Sequence, residues 1–204
     1  MSRRRTTSDA DVLAAAGRVI SRVGPSQFTL SDVSAEAGLA PATLLQRFGS
    51  KRGLLLAVAK MGEDSVAACF VQLRSAHSSA LATLLASVEA LAAHAQTPEA
   101  MANSLAFMHI HLTDREFHRL AVESTRAVLA GFKKLLDEAV AKGELVRCDT
   151  ARLARVIDGL RYGSMLTWAI HRQGTVGDWL REDLRMLLAP LRKKPRNHRK
   201  PSDS

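Results

Sequence analysis

The chain has 204 residues, 47% hydrophobic and 4% aromatic, with 29 Lys+Arg against 20 Asp+Glu and 2 cysteines. Such composition excludes wholesale disorder, Cys69 and Cys148 close one bridge at most and so exclude a disulfide-stapled secreted module, and runs like Leu54 to Ala59 fall far short of the ~20 apolar residues of a membrane span. The basic Met1 to Arg5 lead into Thr6, Thr7, Ser8 and Asp9 rather than an apolar core, so the expectation is a cytoplasmic protein in a reducing compartment, with no export signal and no membrane partner.

Almost every segment reads as helix, because Ala and Leu dominate and no stretch alternates like a strand. The expected fold is all-α, with about nine helices at roughly 9–23, 30–37, 41–48, 51–75, 79–95, 98–112, 114–142, 150–172 and 177–189. Arg3, Arg4 and Arg5 precede the first helix as a basic arm over residues 1–8, suited to a minor groove or to phosphates, although a plain solvated end accounts for them equally. Ser8 with Asp11, Thr29 with Asp32, and Thr113 with Glu116 are spaced as helix-starting caps, in which a hydroxyl accepts an early backbone N–H. Ser50 precedes the fourth helix, and Thr97 precedes Pro98 in the sixth. Val12, Ala16, Val19, Ile20 and Val23 give the first helix an inward stripe, and Gly24-Pro25 ends it.

The second and third helices are too short to stand alone. They meet at Ala37-Gly38-Leu39, where glycine supplies the positive φ of a tight turn and Leu39 plugs the angle between them. This is a helix-turn-helix layout, although the same junction also occurs in ordinary helical hairpins. Val33, Ala37, Leu39, Leu44 and Phe48 face inward, leaving Ala42, Thr43, Leu45, Gln46 and Arg47 to meet base edges and phosphates in a major groove. In a wider window, Gly24, Phe28-Thr29-Leu30, Asp32 to Leu39, Thr43-Leu44, Phe48-Gly49-Ser50-Lys51 and Leu54 to Val58 follow one another in an order and spacing that resembles the N-terminal domain of TetR-type transcriptional repressors.

The resemblance covers roughly the first 60 residues and implies a DNA-binding domain over residues 9–55, followed over 56–190 by a ligand-binding and dimerisation domain. It also implies that Thr29, Thr43 and Lys51 contact DNA phosphates, which suits hydroxyls and an ammonium at helix N-termini. A cap with no DNA role is the alternative for Thr29, and it can hold both roles. There are departures: Leu45 replaces a customary Tyr, removing one backbone contact, Ala40 is a weak cap before Pro41, and Gln46 and Arg47 stand where His is frequent. We read these as differences in the operator recognised.

By the resemblance, the last two long helices pair two copies of the chain. Leu153, Val156, Leu160 and Gly163, with Leu180, Leu184 and Leu187, are the expected dimer residues, since apolar side chains surround more of the eighth helix than one neighbour can cover. Met101, Phe107, Met108, Phe132, Tyr162, Met165 and Trp168, with Leu105, are candidate walls of an apolar effector cavity, with His111 as a polar group in it, although ordinary core packing accounts for the same pattern. His109, His111 and His118 lie on different faces or helices, so no metal site is expected, and no cofactor either.

Charge is uneven along the chain. Residues 1–60 hold 9 basic and 4 acidic side chains, 61–189 hold 14 and 15, and 190–204 hold 6 and 1. The basic first quarter suits DNA and the near-neutral middle suits a core, whereas the basic tail over 191–204 lacks apolar periodicity and is expected to be disordered. No nucleophile elbow, phosphate loop or metal dyad marks an enzyme. The expectation is a homodimeric regulator, a repressor by the resemblance, which binds a palindromic double-stranded DNA operator and is released by a small-molecule effector. The alternative is a DNA-binding or ligand-sequestering protein with no operator of its own.

Overall fold

The computed structural model describes residues 7–193; Arg3, Arg4, Arg5 and the tail from Lys194 onward lie outside them. The described residues form nine α-helices: α1 (Asp9–Val23), α2 (Leu30–Ala37), α3 (Pro41–Phe48), α4 (Lys51–Ala76), α5 (Ala80–Leu91), α6 (Pro98–Thr113), α7 (Arg115–Ala141), α8 (Thr150–His171) and α9 (Val176–Leu188). A short 3-10 turn, Ala189–Leu191, follows α9, and no described helix is long and apolar enough to cross a membrane.

The capping signals explain most starts. Ser8 and Thr29 close reciprocal capping boxes with Asp11 and Asp32, while Ser50 and Thr97 accept from the N–H groups of Gly53 and Ala100. From α4 onward several boundaries shift by one residue or more, and three of the shifts have a visible cause. Helix α6 runs on through Thr113, whose hydroxyl bonds back to the His109 carbonyl, and it is Asp114 that caps α7 by accepting from the Glu116 and Phe117 N–H groups. Two adjacent residues competed for one cap, and the carboxylate holds it. Helix α5 stops at Leu91, after which Ala92, Ala93 and Ala95 bond three residues back as in a tightened last turn. Helix α9 begins one residue earlier than expected, under a Thr175 cap backed by Asp178.

Two apolar clusters organise these helices. The first gathers Val12, Ala16, Val19, Phe28, Val33, Leu44 and Leu54 around the three short helices, and Phe117 from α7 completes it. The second gathers Leu84, Val88, Phe132, Leu136, Ile157, Met165, Leu180 and Leu184 from α5, α7, α8 and α9. Helix α4 belongs to both, contributing Leu54 to one and Val66 to the other. At 1.5 Å per residue its 26 residues span about 39 Å. The molecule thus has a small head and a larger body strung along one rod.

Candidate nucleic-acid interface

The head is built around the turn between α2 and α3. Gly38 sits at φ 66° and ψ 36°, a left-handed conformation that costs a side-chain-bearing residue free energy, and the Leu39 N–H reaches back to the Ser34 carbonyl at 2.9 Å. Leu44 is fully buried against Val12, Val19 and Val33, which fixes the rotation of α3 about its axis. With that face inward, Ala42, Leu45 and Gln46 project outward; Leu45 is 47% exposed, unusual for a large apolar side chain. Thr43 lies half-buried on the flank. Ala40 makes no side-chain cap, and Pro41 opens the helix as expected.

The phosphate-contact candidates occupy the rim. Thr29 ends the chain entering α2, where its hydroxyl donates to Asp32 at 2.7 Å and accepts from the Asp32 N–H at 3.1 Å. That bond from Thr29 holds the Asp32 carboxyl below its ordinary pKa. Lys51 opens α4, with its ammonium 2.8 Å from the Ser26 carbonyl and 4.5 Å from the centre of the Phe28 ring. Its charge therefore sits over the turn between α1 and α2, on the same edge as Thr29.

Arg47 departs from the expected outward position. Its guanidinium donates to the Thr7 carbonyl at 2.8 Å and pairs with Asp9 at 3.1 Å, which ties the end of α3 to the start of α1. On an eight-residue helix with Leu44 inward, Arg47 falls beside that buried stripe rather than opposite it. Of the residues expected on the reading surface, Ala42, Leu45 and Gln46 share the open face, Thr43, Thr29 and Lys51 border it, and Arg47 is engaged within the head.

Several residues not anticipated from the sequence fasten the head to the body. Arg52 donates to both carboxylate oxygens of Asp114, at 3.0 and 2.9 Å, also pairs with Glu116, and lies over the Phe117 ring. The contact from Arg52 lowers the Asp114 pKa. Asn103 of α6 donates to the Ser21 carbonyl at 2.9 Å, and the Ser21 hydroxyl donates to the His94 carbonyl at 2.8 Å. These partners are 62 to 82 positions apart, so no local spacing announces them.

The nine candidate effector residues do not converge, and Leu105 is exposed on α6. Met101, Phe132, Met165 and Trp168 are buried in the body's core, and the Trp168 indole donates to the Gly174 carbonyl at 3.2 Å. Phe107 and His111 belong instead to the joint between head and body, stacked edgewise on each other and near Phe117. The His111 Nε2 atom is buried there with no hydrogen-bond partner among the described residues. Met108 is half-buried on α6, and Tyr162 is exposed on the outside of α8 with the Arg161 guanidinium 4.0 Å from its ring centre. The inward face of α8 is set by Ile157, Arg161, Ser164, Met165 and Trp168, and Tyr162 is rotated away from it. The clefts among the described residues include one of about 850 Å³ beside Arg52, Arg119 and Arg126 and one of about 470 Å³ beside Glu144, Arg185 and Arg192. Neither is lined by any of the expected effector residues.

The expected dimer residues divide as well. Leu153, Leu180 and Leu184 are buried within the chain's own body and so are core rather than surface, because α8 and α9 turn those stripes toward each other and toward α5 and α7. Leu160 and Leu187 are half-buried, while Val156 and Gly163 are exposed. On these two helices the outward apolar surface joins Val156, an expected dimer residue, with Leu166 and Ile170 on α8 and Met186 on α9; Ile170 is 70% and Met186 69% exposed. Among the described residues, no three His, Cys, Asp or Glu side chains are grouped as metal ligands.

Residues 12–58 match the family model of bacterial regulatory proteins of the tetR family. No curated protein matches the chain. Solved structures share its fold: a putative TetR-family transcriptional regulator from Rhodococcus sp., 22% identical, covers 90% of this chain and 97% of its own with a TM-score of 0.67. A putative transcriptional regulator from Saccharomonospora viridis in complex with choline is 19% identical over 91% of this chain and 97% of that one, with a TM-score of 0.74. The transcriptional regulator FadR from Bacillus subtilis, in complex with stearoyl-CoA, is 17% identical over 90% of this chain and 100% of its own, with a TM-score of 0.64.

Proposed function

We propose that this chain, whose residues 12–58 match the family model of bacterial regulatory proteins of the tetR family, is a regulator of that family, a ligand-responsive transcriptional repressor that binds a palindromic operator as a homodimer. The observation that carries the DNA part is the open face of α3. Gln46 stands exposed between Ala42 and Leu45, and Thr29, Thr43 and Lys51 border that face on successive helix starts. The Gln46 amide can pair bidentately with adenine, Leu45 and Ala42 suit thymine methyls, and the rim residues suit phosphates, which fix the register of the helix in the groove.

Two-fold pairing is supported by the outward stripe on α8. Val156, Gly159, Gly163, Leu166 and Ile170 recur every three or four residues, and the two glycines have open space above them. An apolar row with small residues in its middle suits close approach of a second, identical helix. Two reading heads joined this way meet two half-sites about one helical turn, or a multiple of it, apart.

For the effector we propose an apolar or amphipathic small molecule. It enters the body by displacing the packed Met101, Phe132, Met165 and Trp168 rather than by filling a vacant chamber. That choline and stearoyl-CoA occupy proteins of the same fold supports a body able to open around quite different guests. Ligand and operator then oppose each other by a shared coupling free energy, typically ~1–3 kcal/mol, if the opened body holds the two heads at the wrong spacing. Selection of bound sequences from random DNA tests the reading. A dyad-symmetric consensus supports it, and salt-sensitive binding with no consensus favours a DNA-binding protein without an operator of its own.

A further inference from the structure

Both helices of the reading unit are fastened to α1, and to opposite ends of it. Glu36 of α2 accepts from Arg18 at 2.9 Å and pairs with Arg22 at 3.3 Å, on successive turns toward the end of α1. At α3 the polarity is reversed. The Arg47 guanidinium uses one nitrogen, Nη1, to donate both to the Thr7 carbonyl and to the Asp9 carboxylate, just before and at the start of α1. Within α3 itself little else fixes the C-terminal end. Leu44 is the buried side chain of its eight residues, Phe48 is half-buried, and Ala40 leaves the first turn without a side-chain cap. Leu44 sets the rotation of the helix and the Gly38 turn holds its N-terminal end, so tilt about that pivot is decided at the last turn, where Arg47 stands.

A phosphate contact would need that guanidinium free and outward. It is neither: the Arg47 side chain is 24% exposed, and the Asp9 carboxylate paired with it is 69% exposed. A carboxylate 3.1 Å away also offsets the arginine's charge, so a phosphate arriving there would gain little counterion release and would meet a like charge. We infer that Arg47 is a positioning residue for base reading: it holds the last turn of α3 on α1 at the tilt that lets Ala42, Leu45 and Gln46 reach base edges together, and it touches no phosphate. The inference rests on α3 being the reading helix. Recognition of this kind tolerates misplacement of only ~0.5 Å or ~10–20°, and a bidentate amide pair is sensitive to both. A tilt differs from the loss of one contact because it moves all three side chains, so it lowers discrimination at several base pairs at once.

The test uses full-length protein and a duplex that it selects from random DNA. Anisotropy gives the affinity for that duplex and for each single-base change in its consensus, at salt concentrations from about 50 to about 200 mM. Arg47→Met keeps the apolar stem and removes the donors. It is expected to lower discrimination about tenfold at two or more of the base pairs read, with the log–log salt slope unchanged. Asp9→Ala removes one of the two acceptors, spares the Ser8–Asp11 cap and changes an exposed side chain, so its melting temperature should match wild type. It is expected to lower discrimination at the same base pairs by a smaller factor. Because both act through one tie, the double variant is expected to discriminate no worse than Arg47→Met alone. The inference is overturned if Arg47→Met weakens all duplexes alike and flattens the slope by ~0.9, the signature of a lost phosphate contact. It is equally overturned if Asp9→Ala, by freeing the guanidinium, tightens binding to every duplex, if both variants discriminate as wild type does, or if wild type has no sequence preference to lose. A consensus that lacks two-fold symmetry would contradict the palindromic-operator reading alone, since the comparison is made base pair by base pair.

Discussion

Individual side chains carry the proposed recognition. Gln46→Ala removes an exposed amide from α3 without touching the core, so it should cost ~1–3 kcal/mol at one base position and relax preference there. Lys51→Ala should instead weaken all duplexes alike and reduce the salt slope by about 1, as binding isotherms at several salt concentrations will show. His111 makes a different prediction. Burial holds its pKa below the ordinary histidine value, so the folded chain keeps it neutral while the unfolded chain takes up a proton as pH falls. Its contribution is a loss of stability beginning below about pH 6.5 and deepening toward the lower folded pKa. In melting curves between pH 8 and 5, His111→Leu should show a smaller decline than wild type. At this scale the sequence was informative where partners are neighbours: Thr29 and Asp32 are three residues apart and their box was readable. It misplaced Arg47 because the Thr7 carbonyl and Asp9 that hold it arrive from 38 to 40 positions away.

Helices were legible from caps and stripes, and their errors share a cause. Thr113 and Asp114 are both capping residues in consecutive positions, and sequence does not rank them; the structure gives the cap to Asp114, which also receives Arg52. The third helix begins at Ala40 with no side-chain bond to its first turn, so Ala40→Ser should stabilise the protein by ~0.5–2 kcal/mol, measurable by denaturant titration. The reverse holds at Gly53, where a methyl carbon would fall 2.1 Å from the Phe48 carbonyl oxygen and force α4 away from the end of α3. Gly53→Ala should cost on the order of 1–3 kcal/mol by overpacking and should weaken DNA binding as the reading helix shifts. The inward and outward faces of α8 were harder to separate, since apolar residues occur all round it. Only the packing against α7 and α9 decides that Leu153 and Met165 are core while Val156 and Ile170 face outward.

For the whole molecule, the sequence indicated a head, a body and a division of charge between them, but not how the two are joined. The joint consists of Arg52 with Asp114 and Glu116, Asn103 with Ser21, and Phe107, His111 and Phe117 in the head's apolar cluster. A head fastened on two sides cannot swing freely, so a change of packing in the body reaches α4 and the reading helix together, as the proposed linkage requires. Leu166→Glu/Ile170→Glu should give a folded monomer in analytical ultracentrifugation, because a carboxylate pair at a two-fold interface meets its own copy. That monomer should lose operator binding while keeping its melting transition. The most direct test of the regulator account is selection of operators from random double-stranded DNA at physiological salt, repeated with Gln46→Ala. The account predicts a two-fold symmetric consensus whose half-sites lie a whole number of helical turns apart, with preference relaxed symmetrically in the variant. An asymmetric or absent consensus, or one unchanged by Gln46→Ala, would contradict it.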